Sequence, residues 1–265
     1  MKLENKVAIV TGSAQGIGKQ VALAFAHEGS KVCLTDLNLD KINEVEKEIR
    51  SFGGQAFAVP SDVIEELSFK SMVEKAVKKF GRVDILSNQA GCVGPIAPAQ
   101  EVEVKDYEYV MAVKAKGCFI TNKVVLPYMI AQKSGSIINT SGTAGLRGYP
   151  WRVSYSAAQW AVIGITKTIA LEAGQFGVRV NAIAPGAVEG ERMRKIITET
   201  AKKRGMSFEE MEKIFIDGTA MKAWPQEIEM AAVAVFLASN DSRAITGQVI
   251  VADKGWSTYG GYKYE

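Results

Sequence analysis

The sequence predicts a single α/β domain built on a doubly wound, mostly parallel seven-stranded sheet with helices on both faces. Three observations predict it. Seven short β-branched or apolar runs alternate with longer stretches of helical periodicity. No repeat or low-complexity linker divides the 265 residues, a length that one open α/β sheet accommodates around one core. A glycine-rich turn leaves the first run and opens a helix, the order that βαβ units require.

The strands are expected at Val7–Val10, Val32–Thr35, Ala56–Val59, Ile85–Ser87, Ser136–Asn139, Val178–Ala184 and Val249–Val251. Helical periodicity is clearest over Gly18–His27, Leu39–Ser51, Ser68–Phe80, Asp106–Gln132, Ser154–Phe176 and Gln226–Ala238. A helix between successive strands makes them parallel, and right-handed crossovers then cover both faces. The one composition shift is the charged segment 189–221, between the sixth strand and the last helix. It reads either as a solvated helical excursion or as a substrate lid over the carboxyl ends of the strands, where open α/β sheets bind ligands. Topology favours the lid.

A composition of 47% hydrophobic and 23% charged residues is that of an ordinary globular protein. The net charge of +3 arises from 32 basic and 29 acidic residues spread along the chain, which argues against a nucleic-acid footprint or a polybasic membrane face. Cys33, Cys92 and Cys118 are odd in number, far apart and set in apolar surroundings, so they read as reduced thiols. His27 is the only histidine and reads as a helix-surface residue, leaving neither a metal site nor a histidine triad in prospect. The apolar run Val7–Val10 is too short for a signal core or a membrane span. The expected location is the cytoplasm.

The first turn reads Thr11-Gly12-Ser13-Ala14-Gln15-Gly16-Ile17-Gly18. Gly12, Gly16 and Gly18, with Gln15 and Ile17 between them, would bring backbone N–H groups to a pyrophosphate at the helix N-terminus. Asp36 closes the second strand; it can accept from a ribose 2′-hydroxyl and would repel a 2′-phosphate, which favours NAD over NADP. Its alternative role is the N-cap of the next helix. Asp62-Val63 and Asn88-Gln89-Ala90-Gly91 end the third and fourth strands on the same crevice, with room for adenine and ribose, though each alone also reads as a turn.

From Lys6 to Gly255 the chain resembles a short-chain dehydrogenase/reductase of the roughly 250-residue type. The resemblance implies a Rossmann-type fold with NAD pyrophosphate on the T-G-x-x-x-G-x-G turn, adenine at Asp62 and Val63, and nicotinamide bordered by Pro185 and Gly186. Asn88, Ala90 and Gly91 match the family's N-N-A-G, and only Gln89 departs. It further implies hydride transfer between nicotinamide and a carbonyl or secondary alcohol, with a tyrosine as general acid/base. A free tyrosine has a pKa near ~10, so the family places a lysine one helical turn later, lowering that pKa and binding the nicotinamide ribose. A serine polarises the substrate oxygen, and an asparagine on the long helix holds a relay water.

Laid on this sequence, the tyrosine is Tyr155, but the lysine position holds Gln159, the serine position Gly142 and the asparagine position Lys114. Ser141 lies one residue early, which in a strand turns it to the other face. Gln159 can hydrogen-bond a ribose yet cannot hold a phenolate by charge. One rescue is open: the Lys114 ammonium reaching the place that Gln159 leaves without a cation. The plain alternative is a Lys114 in solvent or paired with an acid.

The catalytic tetrad is therefore degenerate, with Tyr155 a remnant. The favoured reading is an NAD(H)-binding subunit, non-catalytic or weakly active, in a homo- or hetero-oligomer with a catalytically complete paralogue. The resemblance implies dimers and tetramers formed through the helices at Asp106–Gln132 and Ser154–Phe176, and assemblies such as secondary-alcohol or hydroxyacyl-CoA dehydrogenases. The alternative is an active NAD-dependent oxidoreductase on a secondary alcohol or ketone using Tyr155, helped by Lys114. A nucleotide-responsive regulator has no residue in its favour. The tail 256–265, with Trp256 and three tyrosines, reads as a frayed terminus or as a cover for a neighbour's pocket. Asp253-Lys254-Gly255 departs from the family's Asp-Gly-Gly, which puts the backbone there in question.

Overall fold

Seven strands form one sheet in the order β3-β2-β1-β4-β5-β6-β7 in the computed structural model, which describes residues 1–258. They are β1 (Val7–Thr11), β2 (Lys31–Thr35), β3 (Gln55–Ala58), β4 (Ile85–Asn88), β5 (Gly135–Thr140), β6 (Val178–Pro185) and β7 (Val249–Ala252). Every pairing is parallel, so the sheet is wholly rather than mostly parallel. Side chains alternate across it with period two. Ala8, Val10, Val32, Leu34 and Ile138 face a core completed by α1 (Gly16–His27), α2 (Leu39–Ser51) and α9 (Glu227–Ala238). Ile9, Cys33, Leu86, Ile137 and Val180 face a second core under α3 (Glu66–Phe80), α5 (Gly117–Gln132) and α6 (Val153–Ala173). Burial on both faces explains why the strands read as continuous apolar runs.

The stretch predicted as one helix from Asp106 to Gln132 differs. It is α4 (Val104–Met111), a π-helical turn Ala112–Lys116, and α5. The wider turn carries Lys114 inward, where it is buried, a local irregularity invisible to a 3.6-residue period. Segment 189–221 folds as α7 (Glu191–Arg204) and α8 (Phe208–Asp217), the latter opened by a Ser207–Glu210 capping box. Their apolar faces close on Met193, Ile197, Ala201 and Met211, a cluster separate from the two main cores. Lys203 Nζ donates to Ile96 O at 3.1 Å, tying α7 to the loop after β4.

Lys254 takes left-handed backbone, φ 56°, where the family has glycine, a cost of roughly 1–2 kcal/mol for a side-chain-bearing residue. Buried Asp253 offsets it by accepting from Gly255 N at 2.9 Å and Ser257 N at 2.7 Å, and Lys254 Nζ pairs with Glu229. Trp256 packs on its own chain, 5.6 Å from the Tyr149 ring and under the Arg147 guanidinium at 3.8 Å. The tail tyrosines at 259, 262 and 264 lie outside the described residues. His27 is exposed and stacks on Phe52 at 3.9 Å. Cys33 and Cys118 are buried free thiols, pushed up to about 12 by burial, and Cys92 is half-buried. No helix among the described residues is long and apolar enough to cross a membrane.

Candidate active site

The strand order reverses between β1 and β4, and a crevice opens at their carboxyl ends. Thr11 Oγ1 joins the two strand exits by accepting from Gln89 N and Ala90 N, both at 3.1 Å. That closeness dictates the glycines. Gly12 and Gly16 have φ of 63° and 60°. A Cβ on Gly12 would sit 2.8 Å from Ala90 N, and one on Gly18 would sit 2.0 Å from Gly12 O. The turn feeds α1 through Gln15, whose side chain caps nothing and instead accepts from Lys41 Nζ at 3.0 Å. Ile17 packs against the first core. A bare helix N-terminus behind a turn too tight for side chains fits a diphosphate.

Asn38, not Asp36, caps α2, accepting from Lys41 N at 3.1 Å. Asp36 stays at the end of β2, where its carboxylate accepts from Asn38 N at 3.1 Å and Ala14 N at 3.4 Å. Asp62 Oδ1 turns back to Ile64 N at 3.1 Å, and Val63 packs where Gly117 leaves room for it. Asn88 Nδ2 donates to Asn139 Oδ1 at 2.8 Å, within a buried network that includes Asn122 and Thr166. Gln89 bridges β4 and β5, donating to Ser87 Oγ at 2.9 Å and accepting from Thr140 Oγ1 at 2.8 Å. Pro185 ends β6, and Gly186 admits Asp253, whose Cβ lies 2.7 Å from the position a residue-186 Cβ would take.

Gly142, Tyr155 and Gln159 meet at one point. A Cβ on Gly142 would lie 3.5 Å from Tyr155 OH and 3.5 Å from Gln159 Nε2. Gly142 has extended backbone, φ −179°, which any residue adopts. Ser141 Oγ is committed elsewhere, donating to Gln159 O at 3.0 Å. Gln159 is 2% exposed and its Oε1 has no partner.

Lys114 is neither solvated nor paired with an acid. Its Nζ lies 3.4 Å from Ala90 O, and the stem runs along Gly91. Burial lowers its pKa to about 8; Cys118 and Cys92 oppose the fall, and the Arg192 charge adds to it. The folded value lies below the unfolded 10.5, so the unfolded chain binds more protons between them and stability rises with pH across that window. A fall of this size is worth on the order of 3 kcal/mol, all of it lost to folding below pH 8. Lys114→Met is therefore expected to raise unfolding free energy by about that amount at pH 7, with the gain fading by pH 10.5. Urea unfolding at both pH values measures it, and a gain that grew with pH would contradict a buried ammonium.

Sequence reasoning missed Arg152. It is the N-cap of α6, only 9% exposed, with its guanidinium 4.5 Å from the centre of the Tyr155 ring. Its legible signal is a cation placed at a helix N-terminus, where the dipole disfavours it.

A family model described as short chain dehydrogenase matches residues 6–202. A 3-oxoacyl-(acyl-carrier-protein) reductase of Thermotoga maritima is 37% identical over 96% of this chain and 99% of its own length. A cyclohexanol dehydrogenase of Acinetobacter is 33% identical over 97% of each chain. Among solved structures, an NAD+-bound xylitol dehydrogenase superposes with a TM-score of 0.91 at 32% identity, covering 95% of this chain and 98% of that one. Crevice, converging site and matched sequence lead to one conclusion: the chain belongs to the short-chain dehydrogenase family.

Proposed function

We propose that this chain is an NAD(H)-binding subunit whose own hydride-transfer chemistry is impaired and which assembles with a catalytically complete member of its family. One observation carries the reading: around Tyr155 OH stand a glycine at 142 and a neutral, buried Gln159. Neither supplies the hydroxyl that would polarise a carbonyl or the ammonium that would bring a phenol toward neutral pH. The cradle at Gly12, Gly16 and Gly18, with Asp36 beside it, would hold the diphosphate and adenosine ribose, and Gln159 the nicotinamide ribose. When bound, the nicotinamide supplies a hydride donor or acceptor. Helices α7 and α8, standing at the β6 exit, serve in this reading as the substrate lid.

Association is supported by the outer faces of α5 and α6. Both helices are apolar nearly all round, and in the single chain Phe119 is 50% and Trp160 52% exposed, with Leu171 further along α6. Helices of that composition are normally covered.

A second reading has one observation in its favour: Lys114 is a buried amine in the crevice, against Ala90 and Gly91, with its pKa lowered to about 8 by burial, a value suited to acid/base work. Native purification from the source cell decides between them. A lysine-containing family member in stoichiometric complex, with turnover lost when that partner is removed, is the expected result. A homomer with robust NAD-dependent turnover that Lys114→Ala abolishes would establish the second reading instead.

A further inference from the structure

Among the described residues six buried side-chain polar atoms have no hydrogen-bond partner, and four of them sit at the start of α6: Arg152 Nε, Ser154 Oγ, Ser156 Oγ and Gln159 Oε1. Buried polar groups are ordinarily satisfied, so four orphans within two turns of one helix set this helix start apart. Arg152 is the most costly of them. A guanidinium cannot shed its charge, and this one is nine-tenths buried at the positive end of a 21-residue helix. Its protein contacts are one hydrogen bond, Nη2 to Val93 O at 3.0 Å, and the face of the Tyr155 ring. No carboxylate pairs with it among the described residues.

The surroundings are cationic as well. The Arg192 charge acts on both Arg152 and Lys114, and the carboxylate coupled to Arg192 is Glu227, on the far side at the glycine turn. Gly94 brings the loop after β4 against the start of α6, where a Cβ would lie 2.6 Å from Val110 Cγ2 and 3.3 Å from Ser154 Oγ, so that loop forms one wall beside the helix end.

We infer that Arg152, with the N-terminus of α6, forms an anion subsite beside Tyr155 and that the pocket takes a small organic carboxylate. The guanidinium fork matches a carboxylate edge, and the first-turn backbone of α6 supplies further donors. The ring of Tyr155 fixes the plane of the fork, so the carboxylate is held at a set distance from the phenol oxygen. A ligand carrying a ketone or hydroxyl a few carbons from its carboxylate places that oxygen at Tyr155. This rests on the reading of the crevice as a ligand-binding pocket and names the chemical class it accepts, whether or not the chain turns that ligand over.

The test is calorimetric binding of 4-oxopentanoate, its neutral amide 4-oxopentanamide and 2-pentanone to the full chain, with NADH binding followed separately by its fluorescence. The carboxylate is expected to bind at least about tenfold more tightly than the amide, the ratio that a charge-assisted pair confers. In Arg152→Gln the two ligands should bind alike while NADH affinity stays unchanged. Equal binding of carboxylate and amide by the parent chain, no binding of either, or a ratio untouched by Arg152→Gln overturns the inference. Should Arg152→Gln not fold, Arg152→Lys keeps the charge without the fork and is expected to lose part of the ratio; a full ratio there refutes the bidentate site. Loss of NADH binding by the parent chain would instead strike the nucleotide reading and leave the carboxylate ratio to stand or fall alone.

Discussion

Gly18→Ala is expected to weaken nucleotide binding strongly and to destabilise the domain, whereas Gly16→Ala, two residues away, is expected to do less. The new methyl at 18 would lie 2.0 Å from Gly12 O and 2.8 Å from Gly12 C. Both are backbone atoms, so no rotamer change relieves the clash. The space beside Gly12 is filled as well, since a Cβ there would lie 2.8 Å from Ala90 N and 3.0 Å from Gln89 C. The turn between β1 and α1 must therefore open, and the helix N-terminus must move away from the diphosphate position. Overpacking of this kind costs roughly 1–3 kcal/mol in stability, and a comparable loss in binding weakens NADH affinity by about 10–100-fold. At Gly16 the sole neighbour within 4 Å is the flexible Glu227 carboxylate at 3.6 Å, leaving a left-handed-backbone cost of roughly 1–2 kcal/mol. Fluorescence titration of NADH with the two variants side by side measures the difference. Equal affinities would mean that the turn is looser than its geometry states.

Restoring the missing groups is expected to have the largest effect on chemistry. The variant Gly142→Ser/Lys114→Asn/Gln159→Lys places a hydroxyl, a relay amide and an ammonium around an existing tyrosine. The backbone is ready for the first, since Gly142 is extended and its Cβ would make ordinary contacts of 3.5 Å with Tyr155 OH and Gln159 Nε2. A serine Oγ one bond further reaches hydrogen-bonding distance of the phenol. Lysine at 159 starts from a side chain already directed at that point. Two cations then flank Tyr155, the new ammonium and the Arg152 guanidinium at 4.5 Å from the ring centre. An ammonium placed at 159 favours a phenolate beside it, and a positioned acid/base contributes ~10²–10⁴ in rate. NADH oxidation with cyclohexanone and 4-oxopentanoate is thus expected to rise by at least about a hundredfold over the parent chain. A substrate-free readout is the tyrosinate absorbance, which should titrate at lower pH in the variant and vanish from the difference spectrum in Tyr155→Phe. Undiminished turnover in the unaltered homomer, with no gain in the variant, would show that Lys114 and Arg152 already do what the lysine would have done.

Much of the site was legible because its geometry follows from backbone periodicity. A glycine turn between a strand and a helix, and an acid closing the next strand, are statements about where the chain turns, and these survive translation from string to structure. Asp36 illustrates it: the competing cap role fell to Asn38 through one local hydrogen bond. The converging positions 142, 155 and 159 were legible through the resemblance, which supplies the family's serine, tyrosine and lysine positions, and the structure brings the three together.

Lys114 and Arg152 were not. A lysine on an amphipathic pattern reads as solvated, and only the π turn at Ala112–Lys116 carries this one beneath Ala90. Arg152 lies outside the matched motif, and its burial depends on the Val93 carbonyl and the Tyr155 ring, 59 residues before it and one turn after it.

The sequence by itself determined the parallel sheet, the glycine turn with an acid closing the next strand, and the absence of serine, asparagine and lysine from their family positions, because period, turn chemistry and residue identity are local. The tertiary structure alone decided which charges are buried and unpaired beside Tyr155, because burial is the sum of contacts from distant segments and no single segment encodes it.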